Sequence, residues 1–213
     1  MNIQKILKIG GLVAGVLMIA FGIGSLALGI NARGVVSDEL SKELIVGSPD
    51  MNPSDIQTAV TKAGLSNIAL PSCDVANQKI TTGADARCFA QYMRIHALES
   101  SGGKTYAEMG RFVATADPTN PIGTNDEAAA VKDAKGKPVA NGPRNTWVTE
   151  TALSTALNVP YMAEQLGLFT IVVGIALLLS GIGFTILALG LLTRTPRTLE
   201  SATPQPIPIT TTP

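Results

Sequence analysis

Residues 166–192, LGLFTIVVGIALLLSGIGFTILALGLL, form a 27-residue run without Asp, Glu, Lys, Arg, His, Asn or Gln. As a helix it would be about 40 Å long, against roughly 30 Å of bilayer hydrocarbon. The run therefore predicts a membrane-spanning helix, tilted or projecting a turn beyond the hydrocarbon. A second such stretch, residues 9–30, has 22 uncharged residues preceded by Lys5 and Lys8. The competing reading is a cleaved signal peptide with a small-residue site at Ala27-Leu28-Gly29. The apolar region of a signal peptide holds only about 7–15 residues, so an uncleaved helix is the better expectation.

Charge placement gives a direction. Lys5, Lys8, Arg194 and Arg197 flank the apolar ends, opposed only by Glu200, while residues 33–164 hold 12 basic and 15 acidic residues. The positive-inside rule puts both termini in the cytoplasm and the central region outside, at a plasma membrane. Formal net charge is zero and no basic field suited to nucleic acid exists.

The two runs share a register. Gly15, Gly22 and Gly29 recur every seven residues, with Gly11 completing a GxxxG, and Gly167, Gly174 and Gly181 do the same. Each run also carries Gly-Ile-Gly followed by Ala-Leu-Gly. Such spacing leaves one smooth stripe where another backbone can approach, which predicts a packed hairpin within one chain or between copies. Glycine is common in membrane helices in any case. Neither run holds an ionisable group for a proton relay or ion site.

The intervening region reads as helical. Helix starts are expected at Ser37-Asp38-Glu39, with Leu40, Leu44 and Ile45 on one face until Gly47, and at Asn52-Pro53 until Gly64. A long helix is expected over 84–100, and another from the Thr105-Tyr106-Ala107-Glu108 capping spacing to about residue 116. Residues 119–142 read as exposed loop with a helical turn near 127–132. Asn145 or Thr146 should cap a last helix, broken at Asn158-Val159-Pro160, with Trp147 and Tyr161 at the outer membrane interface. The predicted organisation is a cytoplasmic N-terminus (1–8), spans at 9–30 and 166–192, and an extracytoplasmic helical domain (31–165). A Thr- and Pro-rich cytoplasmic tail (193–213), expected to be disordered, completes the chain.

Two sets of residues are candidates for chemistry. Cys73 and Cys88, the two cysteines, would form a disulfide in an oxidising compartment. Their spacing matches neither Cys-x-x-Cys nor a zinc ribbon. His96, the single histidine, falls on the buried face predicted for the 84–100 helix, one turn before Glu99. His-x-x-Glu sets two ligands on one side of a helix, and Glu108 across the next turn offers a third. The plainer reading makes His96 a core residue bonded to a carboxylate, and gives Glu108 to its capping box. No nucleophile motif, phosphate loop or dinucleotide fingerprint is present, so no cofactor is implied.

Within 84–116, ADARCFAQYMRIHALESSGGKTYAEMGRF resembles a group of small two-span membrane proteins of high-GC Gram-positive bacteria. So does NTWVTETALSTALNVPYMAEQLGLFTIVVGIALLLSGIGF over 145–184. Some members carry the name of an aromatic ring-opening dioxygenase subunit. Such enzymes are soluble, and this chain lacks the two-histidine-plus-carboxylate set. The resemblance implies a membrane protein and no oxygenase chemistry. The function expected is an accessory, assembly or scaffold subunit of a membrane or envelope complex. The alternatives are a metal protein or enzyme built on His96, and a homo-oligomeric transporter or channel component.

Overall fold

The computed structural model describes residues 3–193; the expected tail, with Thr195-Pro196, Thr203-Pro204 and Thr212-Pro213, lies outside the described residues. The chain is mainly helical, in the order α1 (Ile3–Lys42), α2 (Pro53–Lys62), α3 (Gly83–Ser100), a 3-10 turn (Tyr106–Glu108) and α4 (Gly142–Thr193). No strand occurs among the described residues, and Cys73 and Cys88 form a disulfide.

α1 and α4 are both long and apolar enough to cross a membrane. At 1.5 Å per residue they measure about 60 and 78 Å, so each exceeds the roughly 30 Å of a hydrocarbon core. Large apolar side chains lie exposed along both, among them Phe21, Leu28, Phe169 and Leu187. Gly15, Gly22, Gly29, Gly167, Gly174 and Gly181 are buried. Exposed aliphatic side chains on one face and buried glycines on the other reverse the pattern of a water-soluble helix.

The chain divides into two compact units. The first comprises the described parts of Met1–Ile23 and Ile175–Pro213. In it a Cβ built on Gly15 would stand 2.9 Å from the Gly181 carbonyl oxygen, and one on Gly181 would stand 2.7 Å from that of Gly15. Gly11 faces Ala188, with 3.5 Å between Cβ positions. This is backbone-to-backbone packing, with van der Waals contact replacing the hydrophobic drive that lipid abolishes.

The second unit is Gly24–Gly174. Gly29 and Gly167 approach in the same way, a Cβ on Gly29 falling 2.6 Å from the Gly167 oxygen. Just beyond them Arg33 pairs with Glu164 at 3.3 Å, and Glu164 also accepts from the Ala84 N–H at 3.3 Å. The main core gathers Val36 and Leu40 of α1, Ile56 and Val60 of α2, Ala86, Tyr92 and Ile95 of α3, and Leu157 of α4. Local sequence explains the short helices. Asn52 caps α2, accepting from the Asp55 N–H at 3.0 Å, and Thr82 with Asp85 makes a capping box at the start of α3. The irregular stretch before α3 is pinned by Cys73–Cys88, with Cα atoms 6.1 Å apart, and by Gly47, where a side chain would collide with the Val75 carbonyl.

Several sequence expectations need correction. α1 runs unbroken from its apolar stretch to Lys42, since nothing between Gly34 and Ser37 interrupts helical hydrogen bonding. It ends before Leu44, which takes φ 54° and is 81% exposed, so Leu44 shares no buried face with Leu40. Thr105–Glu108 forms its cap but propagates only a 3-10 turn. Met109 is extended (φ −106°, ψ 138°), and the Gly110 N–H is taken by the Ile122 carbonyl at 2.6 Å.

Residues 110–141 then form a loop module closed by isolated bridges, such as Phe112 with Thr124 and Ala140, rather than carrying a helical turn at 127–132. Buried Asn141 ties it together, donating to the Gly110 and Pro121 carbonyls at 3.0 and 2.9 Å. Finally, α4 starts at Gly142-Pro143, where proline suits a first helical turn, and continues through Pro160. The missing Pro160 N–H leaves the Ala156 carbonyl without its usual helical donor, a cost of about 3 kcal/mol that packing of α4 against α1 and α3 must offset.

Two outcomes follow. Reducing Cys73–Cys88, or changing both to serine, should lower unfolding stability by about 3 kcal/mol, read from denaturant or thermal melts in detergent. Gly181→Leu should cost about 1–3 kcal/mol by overpacking against the Gly15 backbone, and Gly190→Leu should not match it. Equal effects at both glycines would refute the close-approach account.

Candidate ligand groove

A hollow in the Gly24–Gly174 unit has a volume of about 860 Å³. Three helices and one loop build it. α1 supplies Glu39 and Leu40 from its last turn, and Glu43, Ile45, Ser48 and Met51 follow in the connection to α2. α3 supplies Phe89, Met93, His96, Ala97 and Ser100. α4 supplies Thr146, Thr149, Glu150, Leu153, Ala156, Leu157 and Pro160. The α3 set follows i, i+4, i+7, i+8, the face that a 3.6-residue period turns to one side. The walls are chiefly aliphatic and aromatic, with two flexible methionines, and the volume lies in the range of small-molecule sites.

The charged groups on this wall are of one sign apart from the histidine. Glu39 is paired with Lys42 at 2.6 Å on the exposed last turn of α1. Glu150 is 5% exposed and accepts from the Ser154 hydroxyl at 2.6 Å, without an ion pair among the described residues. No Lys or Arg lines the hollow. A carboxylate removed from water without a countercharge is costly, and hydroxyl donors offset only part of that.

His96 sits on this wall one-third exposed, with Nδ1 2.9 Å from Glu99 Oε2 and Nε2 3.4 Å from Asp50 Oδ2. The structure thus brings His96 and Glu99 together, as their spacing anticipated, and adds Asp50. Glu108 takes another course. Its Oε2 accepts from the Thr105 N–H at 2.9 Å and from the Thr105 hydroxyl at 2.8 Å, and Lys104 lies 3.7 Å from its other oxygen. The Thr105 backbone and hydroxyl bonds hold the Glu108 carboxyl below the usual carboxylate range. Glu108 is used by its capping turn, and among the described residues no set of three His, Cys, Asp or Glu side chains is disposed to hold a metal.

Trp147 is buried rather than set at a membrane interface. Its indole N–H donates to the Lys104 carbonyl at 2.7 Å and lies 3.2 Å from the Ser101 hydroxyl, and its ring packs with Ala97, Leu98 and Met109. Arg94 stacks on it at 5.1 Å, and Arg87 stacks on Tyr161 at 4.4 Å. A tryptophan on the helix that leads into a long apolar run, about five turns ahead of it, invites an interface reading. The polar backbone at the end of α3 offered its indole a better partner.

Two groove features escape a reading of periodicity. Glu150 lies on the stripe that joins Trp147 to Leu157 (i+3 and i+10), and an acid on an apolar stripe was the available signal. Asp50 gave none, being brought to His96 by the fold of the loop alone.

Tyr92 is the buried hub beneath the groove, fully inaccessible, its hydroxyl donating to the Cys73 carbonyl at 2.6 Å. Burial, and secondarily the Asp74 carboxylate, push its phenol above the usual range. A raised folded value means the contribution is complete below the ordinary phenol value near 10 and is lost as pH rises from there through the raised folded value. Tyr92→Phe should therefore cost about 1 kcal/mol at neutral pH and remove this component of the alkaline loss of stability, measured as melts between pH 7 and 11. An unchanged alkaline slope would contradict this.

No protein-family model, curated protein or solved structure matches the chain.

Proposed function

We propose that this is an integral membrane protein crossing the bilayer twice, with both termini cytoplasmic and residues 31–165 outside the plasma membrane. There it serves as an accessory or assembly subunit of a larger membrane or envelope complex. The observation that carries this reading is the open, chiefly apolar groove of about 860 Å³ between the last turn of α1, α3 and the first half of α4. An apolar hollow with a few convergent polar groups is the usual form of a binding site. It occurs here on a domain of helices and bridged loops in which Asp85 and Glu108 are engaged in caps and Arg33 and Glu164 in an ion pair.

The location rests on two further points. Lys5, Lys8, Arg194 and Arg197 lie on the terminal flanks of the apolar runs, which favours cytoplasmic ends. A disulfide at Cys73–Cys88 suits an oxidising compartment. The resemblance of 84–116 and 145–184 to small two-span proteins of high-GC Gram-positive bacteria implies a membrane protein. Exposed apolar faces on α1 and α4 suit lipid, and equally the helices of a partner.

The test has two parts. In intact cells a membrane-impermeant maleimide should label Ser66→Cys and reach Ser201→Cys only after lysis; the opposite pattern would invert the topology. Mild-detergent affinity purification of the full chain from its native membrane should recover a stoichiometric membrane or envelope protein. Recovery of the chain alone, under conditions that preserve other complexes, would sink the accessory-subunit reading.

A further inference from the structure

We propose that a separate polar hollow, between α3 and α4, takes a small zwitterion of the amino-acid class, its carboxylate on Arg94 and its ammonium on Glu150. Such a ligand goes beyond the accessory role and belongs to the Gly24–Gly174 unit alone.

The hollow measures about 600 Å³, within the range of small-molecule sites. α3 brings Arg87, Gln91 and Arg94, spaced i, i+4, i+7 along one face, and α4 brings Glu150, Ser154 and Asn158, spaced i, i+4, i+8.

Opposite charges share this hollow without pairing, and that selects the ligand. Glu150 is 5% exposed and takes only neutral donors, the Ser154 hydroxyl at 2.6 Å on one oxygen and the Thr151 hydroxyl at 3.4 Å on the other. Neither Arg87 nor Arg94 forms an ion pair with it, or with any other acid, among the described residues. Both guanidinium planes are committed to rings. Arg94 lies 5.1 Å over that of Trp147, and Arg87 lies 4.4 Å over that of Tyr161. Trp147 is itself anchored by its indole N–H on the Lys104 carbonyl at 2.7 Å, so the stack holds Arg94 in place.

Stacking occupies the face of a guanidinium and leaves its N–H edge for a carboxylate. The ring that moors Arg94 stems from the α4 position three residues before Glu150, about one turn away on the same face. A molecule carrying both charges satisfies the two ends without moving either. Two arginines against one glutamate leave an excess of positive charge, so an amine alone is the poorer fit. A carboxylate alone would face Glu150 with nothing to offset it.

Height along α4 decides the source of the ligand. Glu150 precedes the uncharged run by sixteen residues, about 24 Å of helix. The polar zone of a bilayer extends only about 5–7 Å beyond the hydrocarbon, so a lipid headgroup does not reach Glu150 and the zwitterion comes from solution.

Trp147 is the single tryptophan of the chain and carries Arg94 on its ring, so its fluorescence reports the site. The experiment titrates the full chain, in a neutral maltoside detergent, with L-alanine, L-leucine, L-glutamine and L-glutamate. At least one should change the Trp147 emission saturably. For the tightest of them, the N-acetyl and α-amide derivatives, each lacking one charge, should bind roughly tenfold or more weakly, the loss of one charge-assisted contact. In Glu150→Gln the amino acid should bind no better than its N-acetyl form, and Arg94→Gln should abolish binding followed by calorimetry. Melting curves verify that both variants fold. No saturable change with any of the four amino acids would overturn the inference. Equal binding of the N-acetyl derivative would overturn it too, since Glu150 then takes no ammonium. A membrane partner recovered by affinity purification would uphold the accessory role in either case.

Discussion

Close approach between the backbones of α1 and α4 is the constraint on which the other contacts depend. In hydrocarbon, apolar side chains gain nothing by leaving lipid, so two uncharged helices associate through surfaces that allow van der Waals contact. Gly15 with Gly181 in one unit, and Gly29 with Gly167 in the other, provide that contact at distances no side chain would permit. From the Gly29–Gly167 contact the two helices continue directly into the walls of the Gly24–Gly174 unit. Arg33 and Glu164 then pair, and Glu164 also receives the first turn of α3. Leu40 and Leu157 close on the core that Tyr92 fills. One helix pair thus serves both as candidate membrane anchor and as the frame of the groove.

The sequence made the apolar runs, α2, α3 and the disulfide legible because each carries a local signal: an absence of charge, a cap, a heptad or a lone pair of cysteines. Its failures share a cause. Pro160 and the Thr105–Glu108 cap are strong local signals overridden by distant partners. α4 keeps its helix through Pro160, flanked by Leu157 in the core and Glu164 paired with Arg33, and the Thr105 turn stops because Gly110 pairs with Ile122. In 110–141 the bridges are single and the side chains largely exposed, so no alternating pattern forms that could announce them.

The candidate site was legible in the same partial way. His96 and Glu99 share a helix face, and a three-residue spacing was enough to unite them. The groove needed knowledge of how α1, α3 and α4 meet. Glu108, attractive as a third ligand by position, satisfies its own turn, the commoner fate of a glutamate at the third position of a helix. Glu150 is the instructive residue. A carboxylate on an apolar stripe contradicts the local pattern, and such conflicts concentrate where a protein binds something.

Trp147 gives the fold a temporal order. Its indole closes over Ser101 and Lys104, which precede it by 46 and 43 residues, and covers Ala97, Leu98 and Met109. A chain made from its N-terminus completes α3 and the Cys73–Cys88 loop well before that lid exists. During that interval the apolar face at the end of α3 has only Leu65, Ile68 and Met109 as partial cover. Maturation of the Gly24–Gly174 unit is thereby tied to synthesis of the last helix, so a chain arrested before α4 would present a sticky, unfinished surface rather than a smaller working domain.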